Sequence, residues 1–161
     1  EIIKPGCIGL ASVRTRGRSN TGGFIHKCDD LERRPHNIMA ALGGKAATEL
    51  YYSEACASGC YSDLEKAIRL LRDGLTESGT NGVSFLEFGD PFYNLSDRTF
   101  DNREAVVHAE LERYIFQTRN ILLKNKEFLE KVADALAEKE TLLFSDIKAI
   151  RESVTITKCV S

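Results

Sequence analysis

Helical periodicity dominates the chain from about Arg34 onward, and it limits the possible folds more than any other feature of the sequence. Apolar residues recur there at intervals of three and four, which places them on one face of a helix. The first helix is predicted at Arg34–Tyr52, with Asp29 or Asp30 near its cap and Pro35 in its first turn, where proline is tolerated.

Two adjacent glycines, Gly43 and Gly44, lie inside this predicted helix. Together they cost about 2 kcal/mol relative to alanine in a helix interior. We therefore expect this part of the helix to pack tightly against another backbone.

Four further helices are predicted downstream. The second begins at Ser62, which forms a capping box with Glu65, and it ends before Gly79. A long helix spans Asn102–Lys124, and Asn125 caps the helix that follows.

In three of these helices, residues at helical spacing are predicted to form a single stripe along one face. The stripes are Leu64, Ala67, Ile68, Leu71 and Leu75; Val106, Ala109, Arg113, Phe116, Asn120 and Leu123; and Phe128, Leu129, Val132, Ala133 and Leu136. A last short helix is predicted from Ser145 to Glu152. Thr80–Asp101 is rich in Gly, Asn and Asp, and it is predicted to be a long ordered loop of the kind that often carries function.

The first thirty residues differ from the rest. Ile8–Arg16 and Phe24–Cys28 are rich in apolar and β-branched residues and are separated by turn formers, which predicts two neighbouring strands. The predicted fold class is mainly α, a helical bundle with a small N-terminal β-hairpin or sheet. Residues 1–30 form the β region and 31–155 the helical part of a single domain that spans 1–161.

The charge balance is nearly even, with 22 Lys and Arg against 24 Asp and Glu. Nucleic-acid-binding domains usually carry a clear basic excess, so no nucleic-acid partner is predicted. Neither an apolar run of about 18 to 20 residues nor a secretory signal pattern occurs. We therefore expect an intracellular, soluble domain.

Five scattered cysteines predict reduced thiols rather than a disulfide scaffold. Cys56 and Cys60 are separated by three residues, whereas zinc knuckles usually have two, and no second Cys or His pair completes a set of ligands. A cysteine-based metal site is therefore not predicted.

The residues alone point to few catalytic candidates. His26, His36 and His108 are far apart in sequence, so no two of them share a helix face as paired metal ligands do. Asp63 is the most notable carboxylate, because it lies in the first turn of the second helix. There the helix dipole stabilises an acid by about 0.3 to 1 kcal/mol, which is by itself a sufficient structural account of Asp63.

Several motifs resemble the peptidase domain of the FtsH family of ATP-dependent zinc metalloproteases. Residues 41–50 contain Gly-Gly-Lys-Ala-Ala-Thr-Glu and residues 58–64 read Ser-Gly-Cys-Tyr-Ser-Asp-Leu. The family has Gly-Gly-Arg-x-Ala-Glu-Glu followed by Thr-Gly-Ala-x-Asn-Asp-Leu. Residues 121–147 resemble the family's closing helices, and residues 16–24 resemble a family hairpin. The resemblance covers about the whole chain.

The resemblance implies a zinc ion bound by two histidines of a His-Glu-x-x-His helix and by a distant aspartate, with the glutamate as general base. Asp63 matches the aspartate ligand. Glu49 matches a carboxylate that would support a metal-binding histidine, and the alternative for it is a solvated helix carboxylate. Thr48 stands where the family usually has another glutamate.

The histidine motif itself does not occur in the 161 residues. In the family it lies shortly before the segment that matches Glu1–Lys4. Two explanations are open: the motif lies upstream, as the non-Met start favours, or this relative has lost it. No catalytic residue is therefore assigned within the chain, and its set of zinc ligands is incomplete.

The resemblance also implies that an extended polypeptide substrate lies along an edge strand beside the metal. The matching residues are Gly22, Gly23, Phe24, Ile25 and His26. The alternative is an ordinary hairpin strand with no substrate role.

The implied function is that of the peptidase-domain portion of an ATP-dependent zinc metalloprotease, which hydrolyses peptide bonds of unfolded or membrane polypeptides in protein quality control. ATP would bind a module outside these residues, and any membrane tether would also lie outside them. By analogy a homo-oligomeric, hexameric ring is expected. The alternative is a non-catalytic relative that acts as an oligomerising or substrate-holding module.

Overall fold

The computed structural model describes residues 1–14, 23–29, 31–52, 60–77 and 97–158, without the side chains of 75–77 and 97–100. Within these residues the elements are, in order, β1 Ile8–Ser12, β2 Phe24–Lys27, α1 Arg34–Tyr51, α2 Tyr61–Glu77, α3 Asp97–Lys124, α4 Lys126–Lys139, β3 Thr141–Leu143 and α5 Phe144–Glu152. The mainly α fold class with a small sheet is confirmed.

The chain divides into two compact units. Unit 1 comprises Glu1–Glu32 and Ile121–Ser161, and unit 2 comprises Arg33–Asn120. Unit 1 holds the sheet, α4 and α5, whereas unit 2 holds α1, α2 and most of α3. That residues 1–161 form a single peptidase domain stays a prediction.

The sheet of unit 1 has three antiparallel strands in the order β2-β1-β3. The two predicted strands are indeed neighbours, although β1 ends at Ser12 rather than continuing to Arg16. The sequence does not predict β3, because three residues between two helices are too few to show a strand period. β3 nevertheless pairs with β1 along its whole length, from Leu10 opposite Leu143 to Ser12 opposite Thr141.

The core of unit 1 lies on the face of the sheet that α4 and α5 cover. Ala11 and Leu142 are directly opposite each other on β1 and β3, so their side chains project to the same face, and both are buried. Ile147 of α5 completes the buried cluster. The partly buried residues packed against it are Ile8, Val132, Ala135, Leu136 and Ile150.

The first helix begins at Arg34 as predicted, but its cap differs. The N-cap residue is Arg33, which makes no side-chain capping bond. Asp29 is instead engaged by Lys4, whose Nζ lies 2.6 Å from Asp29 Oδ2, and Asp30 lies outside the described residues. Asp29, which the sequence predicted near the cap of α1, thus forms an ion pair within unit 1 instead.

The expected tight packing of Gly43 and Gly44 against another backbone is not found within the described part of the chain. Apart from its chain neighbours and the nearby backbone of α1 itself, no described atom lies within 4 Å of a Cβ built on Gly43. A Cβ on Gly44 would meet the side chain of Cys60 at 3.9 Å, an ordinary contact. These positions of α1 would accommodate a methyl group.

The second helix begins at Tyr61, one residue before the predicted cap. Ser62 therefore lies inside the first turn and is not the N-cap. Ala67 and Leu71 of the predicted stripe are buried, as expected for its central residues. Gly79 lies outside the described residues, and α2 ends at Glu77.

The predicted packing stripe of α3 is wrong. Ala109, Phe116 and Leu123 are exposed, Phe116 by 63%. The buried residues of α3 lie about one position further along: Val107, Tyr114, Ile115, Thr118 and Ile121. Apolar residues occur in adjacent pairs along α3, so the sequence permits two stripes about 100° apart, and tertiary packing selects between them.

The remaining helices begin within one residue of their predicted starts, except α3, which begins five residues earlier. α3 begins at Asp97, so the last five residues of the predicted loop are helical, while residues 80–96 lie outside the described part. Asn125 is the N-cap residue of α4, although its side chain makes no capping bond. α5 begins at Phe144, one residue before the predicted start.

Asn125 instead joins the C-terminal segment to the end of α3. It is 2% exposed. Its Nδ2 donates to the carbonyl oxygens of Ile121 at 2.8 Å and Thr157 at 3.0 Å, and its Oδ1 accepts from the Thr157 N–H at 2.8 Å. The side-chain amide thus pairs with both backbone groups of one residue, as a neighbouring strand would.

Candidate functional site

Asp63 lies in the first turn of α2, two residues after the helix begins, and it is exposed. The start of a helix favours an anionic side chain because unpaired backbone N–H groups point towards it. An exposed carboxylate oxygen at this position is also a chemically suitable zinc ligand. The geometry of Asp63 is therefore compatible with both the structural and the metal-binding account.

The described residues do not form a zinc site by themselves. No group of three or more His, Cys, Asp or Glu side chains among them could hold a metal ion. A catalytic zinc site needs three protein ligands, and Asp63 supplies at most one of them. We therefore derive no step of peptide hydrolysis through a metal.

Glu49 is not a solvated carboxylate. Its side chain is 6% exposed, and both of its oxygens are bound by cations. Lys45 Nζ lies 2.6 Å from Oε1, one helical turn away on α1, and Arg119 Nη2 of α3 lies 2.5 Å from Oε2. The Lys45 hydrogen bond, with a further contribution from Arg119, lowers the pKa of Glu49 despite its burial. The carboxylate is consequently held in its anionic form.

Thr48 makes a local bond where the family usually has a glutamate. Its hydroxyl donates to the Gly44 carbonyl oxygen, 2.9 Å away, within α1. A hydroxyl engaged in this way supplies no negative charge to a neighbouring site. Of the two glutamate positions, only that of Glu49 offers a carboxylate.

The matching substrate segment lies at an edge of the sheet. Among the described strands β2 is an outer one in the order β2-β1-β3, and Ile25 is 62% exposed while His26 is also exposed. The N–H of Cys28 donates to the Cys7 carbonyl oxygen at 2.9 Å. Because backbone groups alternate in direction along a strand, those of Ile25 and Lys27 point away from β1.

Gly23 leads directly into this strand and is held close to β1. Its φ of +139° is one that residues with a side chain rarely adopt, and a Cβ at this position would lie 2.6 Å from the Ser12 carbonyl oxygen. Phe24, which pairs with Ser12, is half-buried. Gly22 lies outside the described residues.

Sequence reasoning missed the cations around Glu49. The spacing of four residues between Lys45 and Glu49 is a helical ion-pair signal that could have indicated the first contact. Arg119 is 70 residues from Glu49, and no sequence pattern connects them. Arg119 therefore belongs to the candidate site through the fold alone.

Cysteines contribute no disulfide within the described part of the chain. Cys7, Cys28 and Cys60 have free thiols, as predicted, and Cys56 and Cys159 lie outside that part.

None of the helices in the described ranges is both long enough and apolar enough to span a membrane.

Comparison with known proteins assigns the chain to a family. The chain matches the model of Peptidase family M41 over residues 26–150. It is similar to proteins called ATP-dependent zinc metalloprotease FtsH from three bacteria. It is 25% identical over 175 residues to that of Mycoplasmopsis synoviae, with 96% of this chain and 26% of the relative covered. It is 28% identical over 158 residues to that of Streptobacillus moniliformis, with 91% of this chain and 23% of the relative covered. It is 27% identical over 164 residues to that of Thermus thermophilus, with 90% of this chain and 25% of the relative covered.

These matches show a domain related to the zinc metalloproteases. The chain belongs to Peptidase family M41, and its resemblance to the FtsH peptidase domain is confirmed. It spans about a quarter of the length of the relatives it matches.

Proposed function

We propose that these residues are the peptidase-domain portion of an ATP-dependent zinc metalloprotease that hydrolyses peptide bonds of unfolded or membrane polypeptides. The family match over residues 26–150 is the observation that carries the proposal, and Asp63 lies within the matched residues. Asp63 contributes one zinc ligand in this proposal, and Glu49 supports a metal-binding histidine. The two histidines and the general base must come from outside these 161 residues, because they contain no His-Glu-x-x-His.

The surroundings of Glu49 support its assigned part. A carboxylate has about four lone-pair positions, and Lys45 and Arg119 each occupy one. Glu49 can therefore accept an N–H from a histidine while both cations keep it charged and fixed in place. An anionic acceptor of this kind orients a metal-binding imidazole and raises its basicity.

Zinc analysis of the longest natural form of the protein tests the metal assignment. Asp63→Ala is expected to lower zinc content and ATP-dependent cleavage of an unfolded polypeptide at least tenfold. Glu65→Ala removes another exposed acid of α2 and serves as the matched control, with both properties unchanged. Normal zinc content and cleavage in Asp63→Ala would reject Asp63 as a ligand.

The exposed edge of β2 supports the substrate assignment to Gly22, Gly23, Phe24, Ile25 and His26. An extended polypeptide can pair with the outward backbone groups of Ile25 and Lys27, which makes binding tolerant of substrate sequence. The absence of a side chain at Gly23 permits the close approach to β1 that sets the start of this strand. The edge contributes backbone hydrogen bonds that position a peptide.

A proline substitution isolates this backbone role. Lys27→Pro removes an N–H that points away from the sheet, a change that edge strands tolerate. We expect at least a tenfold weaker binding of an unfolded polypeptide, measured by fluorescence anisotropy, whereas Lys27→Ala keeps the N–H and binds normally. Equal weakening by both substitutions would attribute binding to the lysine side chain instead.

The proposal also includes a hexameric ring, an ATP-binding module outside these residues and a role in protein quality control. Any membrane tether would likewise lie outside them. The family relationship supports each of these features. Mass photometry of the longest natural form, with and without ATP, measures the oligomeric state, and a monomer under both conditions would reject the ring.

A non-catalytic relative is the second candidate. It is favoured by Thr48, whose hydroxyl is engaged with Gly44, and by the absence of His-Glu-x-x-His from these residues. Such a protein would hold unfolded polypeptide at the β2 edge without cleaving it. Binding without zinc and without cleavage in the longest natural form would favour this candidate, whereas zinc-dependent cleavage would reject it.

A further inference from the structure

Cys7 and Cys28 lie opposite each other, one residue beyond the last pair of the ladder between β1 and β2. Ile8 pairs with Lys27, so the next opposite pair is Cys7 and Cys28, and the Cys28 N–H donates to the Cys7 carbonyl oxygen at 2.9 Å. Opposite residues that exchange both backbone hydrogen bonds have Cα atoms about 5.5 Å apart, and the one bond formed here brings the two Cα atoms to about that separation. That separation falls within the roughly 4.4 to 6.8 Å that a disulfide bridges.

The two thiols differ in access. Both are free, but Cys28 is exposed whereas Cys7 is 7% exposed. The Cys28 sulfur lies against β1, because a Cβ built on Gly9 would overlap it. A small oxidant can therefore reach Cys28 from solvent more readily than Cys7.

We propose that Cys7 and Cys28 are a redox-active pair that closes a cross-strand disulfide with a low-molecular-weight disulfide such as oxidised glutathione. The Cys28 thiolate attacks one sulfur of the oxidant, which breaks its S–S bond and releases one thiolate. The Cys7 thiolate then attacks Cys28 Sγ, which breaks the mixed disulfide and releases the second thiolate. Two protein thiols are oxidised, one small disulfide is reduced to two thiols, and these take up the two protons.

The consequence is a covalent clamp at the end of β2, the edge strand described above. It fixes the register of β1 and β2 and closes the segment 8–27 into a loop. A loop of this size restricts the unfolded chain enough to shift the folding equilibrium by roughly a hundredfold. The inference goes beyond the proposed function, because the pair needs neither zinc nor peptide hydrolysis.

Peptide mapping under non-reducing conditions tests the pair. The triple variant Cys56→Ser, Cys60→Ser, Cys159→Ser leaves Cys7 and Cys28 as its cysteines. With oxidised glutathione we expect the loss of both thiols, a linked Cys7–Cys28 peptide and no retained glutathione. A stable glutathione adduct on Cys28 beside a free Cys7 thiol would overturn the proposal.

Single substitutions in the same background provide the controls. Cys7→Ser is expected to retain one glutathione on Cys28, because no second thiol displaces it. Cys28→Ser is expected to react at least tenfold more slowly, because Cys7 is buried. Equal reaction rates of the two single variants would contradict the proposed order of attack.

The unsubstituted chain keeps the test independent of how the variants fold. With limiting oxidised glutathione, the Cys7–Cys28 link is expected to form before any other, with an increased urea midpoint for the oxidised form. Predominant links to other cysteines would reject the pair.

Discussion

Arg119 Nη2 lies 2.5 Å from Glu49 Oε2 and joins α3 to α1 across 70 positions of sequence. Lys45 binds the other oxygen of the same carboxylate, which is almost fully buried. Glu49, one of the residues that the family resemblance identifies, is therefore also part of the packing of unit 2. Stability and site geometry are coupled at Glu49.

Glu49→Gln is expected to lower the free energy of unfolding by about 1 to 2 kcal/mol. Removing one member of a buried ion pair typically costs more, but Lys45 and Arg119 are partly exposed and can recover solvation. Urea unfolding followed by circular dichroism measures the change. Glu152→Gln, whose partner Lys148 lies at 3.9 Å on an exposed surface, is expected to change it by less than about 0.5 kcal/mol. Equal effects would show that burial does not strengthen the Glu49 pairs.

The contribution of Glu49 is expected to depend on pH. Its pKa is lowered from an ordinary value of 4.5, so its stabilising effect is complete above that value and is lost as the pH falls through the lowered pKa. Urea unfolding of the wild type and Glu49→Gln from about pH 7 to about pH 3 tests this. The difference between them should shrink below about pH 4.5, whereas a constant difference would contradict the ion-pair account.

Asn125→Asp is expected to lower the free energy of unfolding by about 2 to 3 kcal/mol. The substitution keeps the size of the side chain but replaces the Nδ2 donor with an oxygen that faces the carbonyls of Ile121 and Thr157. Hydrogen exchange at the Thr157 amide should accelerate at the same time. Thr157→Ala keeps both backbone bonds and is expected to be nearly neutral, so a comparable loss there would place the stabilisation in the threonine side chain.

Gly43→Ala is expected to raise the free energy of unfolding by about 0.5 to 1 kcal/mol. Alanine favours the helix, and no described atom obstructs its methyl group. Gly23→Ala should have the opposite sign, because of its positive φ and the nearby Ser12 carbonyl. Urea midpoints of the two variants make the comparison, and a destabilising Gly43→Ala would restore the idea of close packing there.

The sequence predicted the fold class because helical spacing and capping signals are local. Starts near Arg34 and Asn125 were found within one residue, since each depends on a few adjacent side chains. The buried stripe of α3 and the strand β3 were not found. Both depend on which apolar residues meet other elements, as Leu142 does when it packs against Ala11.

The residues of the candidate site also fall into those that local sequence predicts and those that only the fold brings together. Asp63 and Glu49 were identified by family motifs that lie in continuous segments. Arg119 could not be identified, because its contact with Glu49 exists only after α1 and α3 have packed. The exposed state of the β2 edge likewise required the strand order, which no local pattern specifies.

The short strand β3 has a consequence for what changes the chain can accept. Only Glu140 separates it from α4, and α5 begins at the residue directly after it. Inserting one residue would turn Leu142 to the opposite face of the sheet and rotate α5 by about 100° relative to the strand. No loop residues on either side of β3 could accommodate such a shift, apart from Glu140. This segment can therefore accept substitutions but not insertions or deletions. Tags, fluorophore linkers and permuted termini are better placed elsewhere.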